Sequence, residues 1–340
     1  MTTSVSADVI LEATRASVTA SMRAGSAALL PRMRLVGGYH LCWWDEHGEE
    51  LVGGAGKGIR SALLLATTRA LGGDEEEALA PAAAVEFLHN FTLLHDDVMD
   101  RDTVRRHRPT AWTVFGETDA ILSGDALFAL SLRLVAESGH PAAPTAVALL
   151  ADCAIEAAEG ESLDCSFPDR AEISLAECLA MVQLKTGALL GCTCALGALY
   201  AGAGRQTIAD MDAFGRNLGL AFQLVDDLIG IWGDPAKSGK GVGADLVAGK
   251  KSVPIVVALA AGNREAAQLR TLLGSGNPLT AADVRRATEL IEAAGAREWV
   301  QSEAARYAAL AGDHLVAAVP DPGRTGELRA LAELVTNRAW

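Results

Sequence analysis

The chain has 340 residues, of which half are hydrophobic, and its 29 Lys and Arg against 43 Asp and Glu give a formal net charge of −14. This composition can bury a large core and excludes a disordered or fibrous chain. The acidic balance argues against nucleic acid as a partner and disfavours polybasic attachment to a membrane, because both need a basic face.

Apolar residues recur at helical spacing along nearly the whole chain, and alternation of β-branched residues is hard to find. Ser174 with Glu177 and Thr280 with Asp283 have the spacing of capping boxes, which mark helix starts. Glycine-rich turn segments divide the chain into pieces of about 15 to 35 residues, a length typical of long helices in a bundle. We therefore predict one all-α domain over residues 1–340, with a peripheral helix in roughly the first 30 residues.

The cellular location is predicted from cysteines, the N-terminus and one apolar segment. Six cysteines form no C-x-x-C pair, so we expect reduced, mostly buried thiols in a cytoplasmic protein. The first residues lack the basic and apolar regions of a signal peptide. Residues 186–204 carry no charge and approach the length of a membrane span, with Lys185 and Arg205 at their ends. Their Thr, Cys and Gly content favours a buried helix over a transmembrane one.

The first acidic cluster is the most informative segment of the chain. Residues 85–94 form an apolar helical run that ends in His95-Asp96-Asp97-Val98-Met99-Asp100. On a helix Asp96 and Asp100 lie at i and i+4, so their carboxylates share one face and repel each other. Divalent cations between them would remove that repulsion, and oxygen ligands of this kind suit Mg²⁺. A solvated acidic helix end is the alternative, and the apolar run before the cluster argues against it.

A second acidic cluster closes another apolar helical run 130 residues later, at Asp226-Asp227. Gly230 stands one turn after Asp226, and the next acid is Asp234. Two such clusters suggest facing Mg²⁺ sites across the cavity of a helical bundle, with a diphosphate between them.

Several cations stand near these clusters in an otherwise acidic chain. Each alone could be an ordinary surface charge, but together they indicate anion binding, since Arg gives bidentate phosphate contacts and Lys a point charge. The cations in question are Lys57, Arg60, Arg105, Arg106, Lys185, Lys240 and Lys250.

The order of these motifs resembles that of the trans-isoprenyl (polyprenyl) diphosphate synthase family, from about Arg32 to about Ile255. That family's two aspartate-rich motifs, arginine pair, isopentenyl-diphosphate-binding loop and later lysine sites all have counterparts. The counterparts are Gly56-Lys57-x-x-Arg60, Glu86-x-x-His89, Asp96-Asp97-x-x-Asp100, Arg105-Arg106, Lys185-Thr186, Phe222-Gln223-x-x-Asp226-Asp227, Gly239-Lys240 and Asp245-x-x-x-Gly249-Lys250. The resemblance implies a single large helical bundle of the class I isoprenoid synthase type with a central cavity.

The resemblance also implies the chemistry: an allylic diphosphate ionises, isopentenyl diphosphate attacks, and proton loss gives a product five carbons longer. It implies about three Mg²⁺ ions per active site and a homodimer. The implied metal ligands are Asp96, Asp97, Asp100, Asp226 and Asp227. The groups implied to stabilise the leaving diphosphate with the metal are Arg105, Lys185 and Lys240. The implied substrate-binding residues are Lys57, Arg60, His89, Arg105, Arg106, Lys185, Thr186, Gln223, Lys240 and Lys250.

The chain departs from the family pattern at two positions. Ser61 replaces the usual Pro after Arg60, which should matter mainly for local helix geometry. Gly230 replaces the third Asp of the second motif, so we expect that side of the metal cluster to rely on Asp226. Asp234 could substitute only if the helix loosens between Gly230 and Gly233.

Product length is predicted from Phe91 and Thr92, which precede the first cluster. Thr92 lies one turn before Asp96 on the same face, so both residues are expected to line the cavity wall. An aromatic residue only at the earlier position resembles enzymes that make the twenty-carbon product, so we predict geranylgeranyl diphosphate. The alternatives are a farnesyl or longer-chain diphosphate synthase, a class I terpene cyclase and a non-catalytic partner subunit.

Overall fold

A computed structural model describes residues 6–51, 56–170, 172–234, 243–274 and 277–336. Over these ranges the chain is helical apart from one antiparallel pair of two-residue strands and an isolated bridge between Trp44 and Glu50. The predicted all-α fold is confirmed.

The first half of the chain builds one side of the bundle and the strand pair. Its elements are α1 Ala7–Ser26, α2 Pro31–His40, α3 Ile59–Leu71, α4 Leu79–Met99, β1 Val104–Arg105, β2 Arg108–Pro109, α5 Ala111–Phe115, α6 Glu117–Ala136 and α7 Ala143–Ser166. The helix α1 packs on α3 and α4 and buries Ile10, Leu11, Val18 and Met22.

The second half begins with two helices joined through a π-helical turn. Its elements are α8 Leu175–Val182, the π turn Gln183–Gly187, α9 Ala188–Tyr200, α10 Arg205–Trp232, α11 Ala244–Val247, α12 Val253–Ala260, α13 Arg264–Leu273, α14 Ala281–Ala293, α15 Ala296–Ala318, a 3₁₀ turn Pro322–Arg324 and α16 Gly326–Thr336. The capping boxes predicted at Ser174 and Thr280 both form, at the starts of α8 and α14.

The continuous helical segment Leu175–Tyr200 lies in the centre of the bundle. It is long and apolar enough to cross a membrane by length and composition alone, but 67% of its apolar window is buried inside the protein. Glycines let its neighbours approach closely: a Cβ at Gly197 would lie 2.5 Å from the Leu64 carbonyl oxygen, and one at Gly215 would lie 2.2 Å from that of Leu190. The segment is therefore a core helix, as predicted for residues 186–204.

Candidate active site

The first acidic cluster lies at the C-terminal end of α4, which is helical through Met99. Asp96 faces α7 and the π turn, close to Glu161 and Lys185. Burial and the neighbouring Glu161 carboxylate raise the pKa of Asp96 to about 8, although Lys185 opposes the shift. Asp100, one turn later, forms an ion pair with Lys250, whose Nζ lies 3.0 Å from Asp100 Oδ2.

Lys185 is held by two carboxylates of α7. Its Nζ lies 2.5 Å from Glu161 Oε2 and 2.7 Å from Asp164 Oδ2. Burial lowers the pKa of Lys185, but Asp96, Asp164 and Glu161 together outweigh it and raise the pKa above the usual range. The lysine is therefore a permanent cation beside the first cluster.

Glu161 and Asp164 were missed in the sequence analysis. The close approach of α7 to the π turn depends on Gly160, where a Cβ would lie 2.4 Å from the backbone nitrogen of Lys185. The sequence signal was an acidic pair at i and i+3 directly after a glycine, on a helix that carries three further acids.

Asp97 has surroundings different from those of Asp96 and Asp100. Its side chain is 1% exposed, and its Oδ1 accepts a 2.7 Å hydrogen bond from Nε of Arg105 at the end of β1. Its Oδ2 finds no hydrogen-bond partner among the described residues. Burial raises the pKa of Asp97 and Arg105 opposes that shift. Its predicted role as a metal ligand stays a prediction, and in this structure the carboxylate contacts the arginine.

A cluster of cations surrounds His89, about two turns before Asp96 on α4. Burial and the charges of Arg60, Arg106 and Arg105 lower the pKa of His89 well below its usual value, so the imidazole is neutral at pH 7. Arg106 donates hydrogen bonds to the His40 carbonyl oxygen at 3.1 Å and to Asn90 Oδ1 at 3.2 Å. The structure thus brings three of the predicted substrate-binding residues together: Arg60, His89 and Arg106.

The loop before α3 lies against this cation cluster. A Cβ at Gly56 would lie 3.3 Å from Arg106 Nη2, and the neighbouring Lys57 is exposed. Ser61, the departure from the family pattern, donates from its hydroxyl to Glu86 Oε1 at 2.8 Å, and its backbone N–H donates to the same oxygen at 3.0 Å. The serine therefore ties the start of α3 to α4.

The second acidic cluster lies near the end of α10. Asp227 is buried: its Oδ1 accepts from Gln223 Nε2 at 2.8 Å and its Oδ2 from the Val253 backbone N–H at 2.9 Å. Burial and the Asp245 carboxylate raise the pKa of Asp227 to about 7. Gln223 Oε1 in turn accepts from the Thr186 hydroxyl at 3.1 Å, which links α10 to the π turn.

Asp226, one residue before Asp227, is half-buried and points about 100° away from it around the helix axis. The α10 helix is regular at Gly230 and ends at Trp232, and Gly233 is extended directly before Asp234. The role of Asp234 in the cluster stays a prediction. The predicted Lys240 lies outside the described residues.

Thr92 and Phe91, the residues predicted to set product length, lie on different faces of α4. Thr92 shares the face of Asp96 and donates from its hydroxyl to the His89 carbonyl oxygen. Phe91 stacks on Phe128 of α6, with ring centroids 5.3 Å apart, and meets the edge of His95. The His95 ring nitrogen Nε2 lies 3.0 Å from the Ile121 carbonyl oxygen of α6, which ties the end of α4 to that helix.

The donor set fits Mg²⁺. Among the described residues, the carboxyl groups of Asp96, Asp100, Glu161 and Asp164 lie around Lys185 and Lys250. Hard oxygen donors of this kind are what Mg²⁺ binds, and a bound cation would favour the ionised form of Asp96. A carboxylate oxygen of Asp100, a carboxylate oxygen of Glu161 and the Cys165 Sγ also lie within 4.8 Å of one another.

A helical bundle with acids at the ends of two apolar helices, and cations near them, has the groups that bind diphosphates directly and through Mg²⁺. The polyprenyl synthetase family model matches residues 42–291. The chain belongs to this family and is a prenyltransferase of the trans type.

The similarity to individual relatives extends over nearly the whole chain. A geranylgeranyl diphosphate synthase of Mycobacterium tuberculosis is 42% identical over 98% of this chain and 96% of its own length. A (2E,6E)-farnesyl diphosphate synthase of Mycobacterium bovis is 41% identical over 94% of this chain and 90% of its own length. The crystal structure of a polyprenyl synthetase from Streptomyces coelicolor A3(2) superposes with a TM-score of 0.91 at 41% identity, covering 96% of this chain and 98% of that one.

Proposed function

We propose that the protein condenses isopentenyl diphosphate with dimethylallyl, geranyl and farnesyl diphosphates and releases mainly geranylgeranyl diphosphate. The observation that carries this choice is the small Thr92 one turn before Asp96 on the same face of α4, while Phe91 packs against Phe128. A small side chain one turn, about 5.4 Å, below the metal ligands leaves room for a growing chain. The two relatives named above differ in product, so their names support both a twenty- and a fifteen-carbon product.

The allylic diphosphate binds on the acidic side of the site. Asp96 and Asp100 from α4 and Asp226 from α10 are the proposed ligands, and Mg²⁺ bound there supplies the charge that neutralises the leaving diphosphate. Lys185 and Lys250 donate charge-assisted hydrogen bonds to the same diphosphate. Lys240 is proposed to act with them, as the family resemblance implies.

Isopentenyl diphosphate binds on the cationic side. Arg60 and Arg106 bind its diphosphate directly, and neutral His89 donates one hydrogen bond to it without adding charge. Lys57, exposed in the loop before α3, completes the set. The double bond then attacks the allylic cation, and the released proton passes to the departing diphosphate.

Asp97 and Arg105 act as a pair in this proposal. Because Asp97 is buried against Arg105, we assign it as the residue that positions the arginine between the two diphosphates rather than as a metal ligand. Asp227, with both carboxylate oxygens engaged, positions α12 and Gln223 in the same way.

A product assay tests this function. Purified protein is incubated with Mg²⁺, radiolabelled isopentenyl diphosphate and each allylic diphosphate in turn, and the dephosphorylated products are separated by chain length. We expect the twenty-carbon alcohol to dominate, and the Thr92→Phe variant to shift the product to fifteen carbons while Thr92→Ser leaves it unchanged. A dominant fifteen- or twenty-five-carbon product from the wild type would overturn the choice of product, and no product would favour a non-catalytic partner subunit.

Assembly, location and ion number are part of the proposal. We propose a cytoplasmic homodimer with about three Mg²⁺ ions per active site, as the family implies. Light scattering coupled to gel filtration tests the dimer, and a monomer at micromolar concentration would contradict it.

A further inference from the structure

The two acidic clusters are built differently on their helices. On α4, Asp96 and Asp100 at i and i+4 place two carboxylates on one face. On α10 the position one turn after Asp226 is Gly230, and the helix is regular there because it continues to Trp232. The α10 side of the site therefore lacks a side chain where α4 has its second carboxylate.

The carboxylate of Asp245 occupies the space beside Gly230. A Cβ added at Gly230 would lie 2.3 Å and 2.7 Å from the two oxygens of Asp245 and 2.5 Å from its Cγ. These distances are far below van der Waals contact, so the carboxylate lies where a side chain at position 230 would begin. Asp245 belongs to α11, a different element from α10.

We propose that Asp245 supplies the second carboxylate of the metal site on the α10 side, paired with Asp226 across the turn at Gly230. Glycine is needed at position 230 because any side chain there would displace that carboxylate. The inference rests on the proposed metal-dependent function and adds one ligand to it.

The chain that follows Asp245 is tied to both helices of the site. The Val253 N–H donates to Asp227 Oδ2 at 2.9 Å, which ties the start of α12 to α10. Lys250 pairs with Asp100 of α4, and its own N–H donates to the Asp245 carbonyl oxygen at 2.9 Å. These contacts hold the Asp245 backbone against α10, which is the preorganisation that a metal ligand needs.

Binding of Mn²⁺ in the presence of inorganic diphosphate tests the proposal without turnover. Free Mn²⁺ is measured by electron paramagnetic resonance for the wild type and for Asp245→Asn, Gly230→Asp, the double variant Gly230→Asp/Asp245→Ala, and Asp234→Asn as the control. Thermal unfolding without metal establishes that each variant is folded.

We expect Asp245→Asn to bind one ion fewer, or to bind it at least tenfold more weakly, and Asp234→Asn to match the wild type. Gly230→Asp alone should also weaken binding, because its Cβ collides with the Asp245 carboxylate. The double variant should recover binding to within about threefold, since the new carboxylate fills the vacated space.

Two results would overturn the inference: wild-type ion number and affinity in Asp245→Asn, or failure of a folded double variant to bind more tightly than Asp245→Asn. Asp96→Asn serves to separate this outcome from failure of the proposed function. If the wild type binds no more Mn²⁺ than Asp96→Asn, the metal site itself is wrong and the inference falls with it. If Asp96→Asn loses ions and Asp245→Asn does not, only the assignment of Asp245 is wrong.

Discussion

Replacing Asp96 with Asn should stabilise the metal-free protein, even though it should destroy activity. Burial beside Glu161 raises the pKa of Asp96 from 3.8 to about 8. At pH 7 the unfolded chain carries an ionised carboxylate and the folded protein a protonated one, so folding must take up a proton. One pKa unit corresponds to about 1.4 kcal/mol, so the upper bound of this cost is about 4 kcal/mol at pH 7 and about 1.6 kcal/mol at pH 5.

The sign of the pH dependence follows from the raised pKa. Asp96 costs the folded state nothing below its ordinary pKa, and stability is lost progressively as the pH rises from there through about 8. For a chain of this length one degree of melting temperature corresponds to about 0.7 kcal/mol. Asp96→Asn should therefore raise the melting temperature by up to about 6 °C at pH 7 and about 2 °C at pH 5.

Differential scanning fluorimetry in EDTA from pH 5 to pH 8 measures this effect. Asp313→Asn, on the exposed surface of α15, is the control and should change the melting temperature by less than about 1 °C at every pH. Saturating Mg²⁺ should stabilise the wild type more than Asp96→Asn, because only the wild type gains a bound ion. A lower melting temperature for Asp96→Asn in EDTA, or a difference independent of pH, would refute the reasoning.

Two further predictions concern the supports of the site. Arg105→Ala leaves the Asp97 carboxyl buried without its partner and should cost about 2–4 kcal/mol in urea unfolding, with the loss larger at pH 8 than at pH 5; a loss below 0.5 kcal/mol at pH 8 would contradict the pairing. Gly160→Ala should cost about 1–3 kcal/mol and reduce turnover, because its Cβ meets backbone atoms of Lys185. Gly312→Ala, whose Cβ meets nothing within 4 Å, is its control and should be neutral or stabilising.

Features that depend on neighbours in sequence were predictable. The spacing of Asp96 and Asp100 fixes their shared face because a helix turns by about 100° per residue. The same rule places Asp97 about 100° from Asp96 but only about 60° from Asp100, so its contact with Arg105 in place of the other acids was not available from the sequence. The capping boxes at Ser174 and Thr280 are local in the same sense, and both form.

Features that depend on tertiary packing were not predictable. Glu161 and Asp164 meet Lys185 more than 20 residues later only because α7 packs against a π turn, and no composition pattern marks such a turn. The contact between Gly230 and Asp245 depends on the path of the chain between α10 and α11. The sequence shows that position 230 has no side chain, but only the structure shows that the Asp245 carboxylate lies in the space beside it.

The two halves of the site carry charge of opposite sign, and this explains how two diphosphates can bind in different ways. On one side, burial and the charges of Arg60 and Arg106 lower the pKa of His89, so that side carries the positive charge that suits an anion. On the other side, Asp96, Asp164 and Glu161 outweigh burial and raise the pKa of Lys185, so we expect that side to hold a diphosphate through bound cations. The net charge of −14 therefore does not conflict with phosphate-bearing substrates. In the proposed function, this difference in charge places isopentenyl diphosphate on the cationic side and the allylic diphosphate, with its metal ions, on the acidic side.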